Sequence, residues 1–260
     1  MISSEPPPAA VAPLPVWPTI AEAYRIFFRN FPVFAKLAVI PIALSIGLWI
    51  AAPLISAPYS GLLFEILTEL PWTLLGVTWL RRILLLETGA KVAFFPELGR
   101  RHLRFLGYSL LLIVIDLPLL LYSDLVGGDP AADPFGSLAF WAVYLGSIYL
   151  ELRFAFVYVA VAADESYSLT LAWRHSRGQS LRLFFIVGVA VVLPWRLFNH
   201  LLESIPLGAD HFAASLAVLA AWNCAFWILQ AGYLTLIAVA FRTCTGWVPP
   251  PDRRILARFE

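Results

Sequence analysis

Two runs without a single Asp, Glu, Lys, Arg or His constrain this chain most: Leu37 to Phe64 and Phe212 to Phe241. Each exceeds the ~20 apolar residues that a helix needs to cross a bilayer. The whole chain follows suit, with 60% hydrophobic residues, 13% charged and a mean hydropathy of +0.79. A soluble domain carries roughly 25% charged residues. The sequence reads as an all-α integral membrane protein.

Three times a short basic stretch runs straight into a long apolar one, at Thr19–Leu44, Phe95–Leu121 and Asp164–Leu193. In the first, Thr19-Ile20-Ala21-Glu22 has capping-box spacing just after Pro18. Ile20, Tyr24, Phe27, Phe28 and Phe31 then share one side of a 3.6-residue helix, with Glu22, Arg25 and Arg29 on the other. In the second, Arg100, Arg101 and Arg104 oppose Leu98 and Phe105. In the third, Leu169, Ala172 and Trp173 oppose Thr170, Arg174 and Arg177. This is the pattern of helices lying in the membrane interface. Their basic faces suit anionic lipid headgroups or a protein partner.

Six spans are expected, at about 34–55, 63–86, 105–123, 137–163 and 181–201, and within 212–241. Sixteen of the 18 Lys and Arg residues then fall on one side, which places both termini in the cytoplasm. Arg196 is the lone cation opposite, and Arg153 lies within a span. Residues 1–18 read as a Pro-rich disordered arm with no secretory signal, 19–246 as the membrane domain and 247–260 as a cytoplasmic tail. Trp17, Trp72, Trp79, Trp173 and Trp247 fit interfacial anchors.

A repeat underlies this order. Arg25, Arg101 and Arg177 are evenly spaced. Pro41, Pro118 and Pro194 sit inside the odd-numbered spans, and Trp79-Leu80, Tyr149-Leu150 and Tyr233-Leu234 near the cytoplasmic ends of the even ones. Three units are predicted, each a surface helix plus a transmembrane hairpin, over 19–90, 94–163 and 166–243.

The segments TWLRRILLLETG, GRRHLRFLGYSLLL and SLTLAWRHSRGQSLRLF resemble those of uncharacterised bacterial six-span inner-membrane proteins. More distantly, AWRHSRGQSLRLF is similar to the W-R-x-x-R-G-x-x-x-R-L elbow in the membrane domain fused to some glycerophosphodiester phosphodiesterases. The resemblance implies a bacterial inner-membrane location and no known activity. The soluble phosphodiesterase domain has no counterpart here, so its chemistry does not carry over.

Chemistry is sparse. No P-loop, GxGxxG, HExxH, CxxC or GxSxG string occurs, and no catalytic residue, metal site or cofactor is predicted. His200, Glu203, Asp210 and His211 gather in one segment without a recognised ligand spacing, and read as loop polarity before a metal site. Cys224 and Cys244 lie too far apart on one helix for a disulfide. A net charge of +1 argues against a nucleic-acid partner.

Arg81, Arg82, Asp116, Glu151 and Arg153 would be costly against lipid and are expected to face the bundle interior. They form a structural network, line a polar pathway or reach to the interface. Depth along the helices makes Asp116 the expected partner of Arg153. Two functional classes fit: a non-enzymatic lipid-interacting or partner-binding membrane protein, favoured by surface charge, and a small transporter or permease. Intramembrane charges lining a cavity would favour the second.

Overall fold

The computed structural model describes residues 13–52, 60–85, 98–126, 134–204 and 212–249, and among these every regular element is helical. In chain order they are α1 (Val16–Arg29), α2 (Phe31–Ala51), α3 (Ser60–Leu84), α4 (Arg100–Val126), α5 (Pro134–Phe154) and α6 (Phe156–Ala162). Then come α7 (Leu169–Ser176), α8 (Ser180–Val187), a π segment (Gly188–Val192), α9 (Leu193–Glu203) and α10 (Phe212–Thr245). Four stretches are long and apolar enough to cross a membrane: Phe31–Ala51, Phe140–Ala162, Ser180–Leu202 and Leu216–Thr245. They are compatible with a multi-pass membrane protein, and large apolar side chains such as Val39, Ile50, Leu111, Val114, Leu197 and Leu201 stand exposed on the bundle.

Two more predicted spans coincide with α3 and α4, of 25 and 27 residues. Their length suffices, but charge interrupts them, with Glu65, Glu69, Arg81 and Arg82 in α3 and Arg100, Arg101, Arg104 and Asp116 in α4. Protein packing holds α3, which lies against α2, α4, α6 and α10. At its centre Gly76 lets the Phe105 ring of α4 come close. A Cβ on Gly76 would lie 2.6 Å from Phe105 Cζ.

Several local expectations are corrected. Helix α1 starts at Val16, ahead of the predicted capping box, because Pro18 is tolerated in a first turn. Thr19 Oγ1 donates back to Pro15 O at 2.6 Å instead of capping. Leu14 is buried and its N–H donates to Gln179 Oε1 at 2.8 Å, so the ordered chain reaches into the predicted arm. The second basic segment is no separate helix but the opening turns of α4. The fourth predicted span is interrupted at Ala155, between α5 and α6. Trp79 is no interfacial anchor. It is wholly buried between Phe27 and Phe34, and its indole N–H donates to Ala231 O and Thr235 Oγ1 of α10.

Prolines shape the long helices. Pro194 has no N–H for the carbonyl of Ala190, four residues earlier, and the π segment lies just ahead of it. Tyr24 of α1 fills that carbonyl at 2.7 Å. Cys224 and Cys244 are free, on the single helix α10. Residues 1–12 of the predicted arm, Gly127 and Gly128, Asp210, His211 and the tail from residue 250 lie outside the described residues.

Candidate functional site

Helical spacing gathers one set of side chains into a cavity of about 490 Å³. Glu65, Thr68, Glu69 and Trp72 recur at three- and four-residue steps and so share one face of α3. Tyr144, Ile148 and Glu151 do the same on α5, and Trp222, Phe226, Gln230 and Tyr233 on α10. Ser45 and Trp49 of α2 and Tyr158 of α6 complete the polar and aromatic wall. The cavity occupies the half of the bundle where α2 ends and α3 begins. Towards the other end of these helices most residues of Leu75–Leu84, Ala155–Ala162 and Leu234–Phe241 are buried.

Three lining residues are carboxylic acids, and none is Lys, Arg or His. Asp116 of α4 stands beside Glu151 with the two carboxyls in hydrogen-bonding reach. Glu65 and Glu69 lie near enough to act on both electrostatically. No ion pair reaches these four acids among the described residues. Glu69 Oε2 is buried without a hydrogen-bond partner, and so is Nε1 of Trp227, a cavity residue only 2% exposed. An unpartnered buried polar atom costs ~1–3 kcal/mol. Glu65 is exposed and Glu69, Asp116 and Glu151 are half-buried, and carboxyls of one sign gathered this closely favour protons or a cation to balance them.

The predicted intramembrane network divides into four parts. Arg81 and Arg101 bind separate oxygens of Asp164, each at 2.8 Å, and Arg81 also donates to Ala162 O at 2.9 Å. Arg82 is half-buried at the end of α3 with Nε unpartnered. Arg153 does not meet Asp116. Its guanidinium donates to Ser180 Oγ at 2.8 Å and Trp173 O at 2.9 Å, and lies 3.8 Å over the Trp173 ring. Only Asp116 and Glu151 come together at the cavity.

Comparison with family models, curated proteins and solved structures finds no match. The geometry alone therefore carries the argument.

Of the predicted basic faces, Arg25, Arg29, Arg100, Arg104, Arg174 and Arg177 are exposed, while Arg101 is drawn to Asp164. Beside Arg174, burial and that like charge hold the His175 imidazole below its ordinary value. Its Nδ1 lies 2.7 Å from the Tyr167 hydroxyl, whose own titration burial pushes up. Burial, then Arg101 and Arg81, likewise lower His102.

The cavity acids Glu65 and Glu69 are not among the site residues that the sequence predicts. The signal was present: with Thr68 and Trp72 they form a polar stripe along an otherwise apolar helix.

Proposed function

We propose that this chain is a small membrane transporter or permease that binds its substrate in the cavity among α2, α3, α5, α6 and α10. The observation that carries the reading is a cavity lined by Glu65, Glu69 and Glu151, with no basic side chain in its wall. Intramembrane acids that serve only structure are paired with cations, whereas acids facing a cavity mark a pathway. The volume falls within the ~300–1,000 Å³ of small-molecule sites.

In this proposal the chain crosses a bacterial inner membrane six times, with α3 and α4 supplying the two charged spans and both termini in the cytoplasm. The cavity then opens away from the cytoplasm. The three repeated units, and kinship with the six-span inner-membrane proteins that the elbow resembles, belong to the same reading. A second role has its own support in the exposed arginines of α1, α4 and α7, whose charge suits anionic headgroups at about 1 kcal/mol each.

Single cysteines test the pathway. In a Cys224→Ser background, Thr68→Cys and Gln230→Cys should react with a membrane-impermeant maleimide applied from the periplasmic side. Ala160→Cys, in the packed half, should not. Equal reactivity of Thr68→Cys and Ala160→Cys would remove the cavity as a route. Reporter fusions at Ser3, Gly89 and Glu260 should report cytoplasm and those at Gly128 and Gly208 periplasm.

A further inference from the structure

We infer that the cavity takes a protonated amine bearing an aromatic or bulky apolar body, in exchange for protons held by its carboxyls. This rests on the cavity being a substrate site, as argued above.

Charge sets the sign of the ligand. Glu65, Glu69 and Glu151 line the space, Asp116 stands behind Glu151, and no basic side chain among the described residues pairs with them. A ligand that brings positive charge relieves this imbalance, and an anion worsens it. The acids do not converge on one point: among the described residues no three His, Cys, Asp or Glu are placed to hold a metal ion. A spread of acids suits a larger cation.

The wall sets the rest of its chemistry. Nine of the 20 lining residues are aromatic. Trp222 and Phe226 are stacked with centroids 5.6 Å apart, and Trp72 has the rings of Tyr158 and Tyr233 at 6.4 and 6.5 Å. Aromatic faces attract cations and cover apolar bodies. The bare Glu69 Oε2 accepts and cannot donate when ionised, so an ammonium N–H suits it better than a quaternary centre.

Exchange follows from the acids being neighbours. Two carboxyls within hydrogen-bonding reach hold a proton between them. When the amine arrives already protonated, an O–H bond breaks, the proton leaves to water, and the ammonium takes its place as counter-charge. The net charge of the site is unchanged. The titratable groups facing this event are Glu65 and Glu69 from α3, Asp116 from α4, Tyr144 and Glu151 from α5, Tyr158 from α6 and Tyr233 from α10. The lining residues of α2, α8 and the π segment (Ser45, Trp49, Val187, Val191 and Val192) bring none.

Calorimetric titration of the purified full chain in detergent tests this with three probes of one shape. They are 1-naphthylmethylammonium, neutral 1-naphthylmethanol and anionic 1-naphthoate. The ammonium should bind at least about tenfold tighter than either other probe. Its affinity should rise from about pH 5 to about pH 8, where the amine stays protonated. Titration in two buffers of different ionisation heat should show proton release on binding. Glu69→Gln and Glu151→Gln should each weaken the ammonium and reduce that release. If either variant fails to fold, the three probes on the unaltered chain still decide. Equal affinity for the ammonium and the alcohol, binding without proton release, or no binding of the ammonium would overturn the inference. Any of these with Thr68→Cys reactive leaves a pathway for another substrate class, whereas an unreactive Thr68→Cys removes the pathway itself.

Discussion

Tyr24 donates its hydroxyl to the carbonyl of Ala190 at 2.7 Å, four residues before Pro194, which has no N–H to give it. Helix α1 thereby supplies a bond that an imino acid cannot. Tyr24→Phe should cost ~1 kcal/mol, read from unfolding in mixed micelles. The same change made on Pro194→Ala, which restores an N–H, should cost clearly less. Equal losses in both backgrounds would mean that the hydroxyl does not serve this carbonyl.

Asp164 carries two loads. It holds Arg81 and Arg101, and its backbone sits at φ 63°, where β-branched residues fit badly. Asp164→Asn keeps a tolerated backbone and should lose no more than ~1 kcal/mol, since the pairs are partly exposed. Asp164→Val should lose clearly more. Added salt should narrow the gap between Asp164 and Asn while leaving the gap between Asn and Val in place.

At Gly76 the Phe105 ring of α4 lies against the backbone of α3. Gly76→Ala should destabilise by ~1–3 kcal/mol through overpacking against Phe105. Phe105→Leu should recover part of that loss when combined with it, although it is harmful alone. Thermal unfolding of the four proteins measures the cycle.

The packing around Tyr167, His175 and His102 should weaken in acid. His175 and His102 are both held below the ordinary imidazole value, so the unfolded chain binds their protons first as pH falls. Their contribution is complete above ~6.5, the unfolded value, and is lost as pH drops through the lower folded values. Hydrogen exchange near Tyr167 and His175 should quicken over that window. Replacing both histidines with Gln should flatten this part of the response, and an unchanged profile would assign it to carboxylates.

Local chemistry was legible in the sequence, and convergence was not. Charge-free runs and basic flanks marked the apolar helices, because burial in lipid acts on each residue separately. Arg153 was expected beside Asp116 because depth was counted along straight, separate helices. In the structure α7 and α8 fold back, and Trp173 and Ser180 reach the guanidinium first. Trp79 was taken for an interfacial residue, yet Thr235 and Ala231 give its N–H a partner in the core. The cavity acids come from α3, α4 and α5, and no periodicity within one helix says which faces will meet.

The docking of α1 also sets an order of events during synthesis. Its main neighbours are α10 and α8, and Leu14 is tied to Gln179, so an early segment rests on the last third of the chain. While the ribosome is still producing the middle helices, Phe27 already has Phe34 and Trp79 to pack on, but the rest of the apolar face of α1 lacks its neighbours in α8 and α10. The emergence of α10 completes that cover, and Trp79 finds its acceptors at the same moment. A chain halted before Phe212 would therefore leave the apolar face of α1 without its main neighbour, an incompletely packed form prone to aggregate.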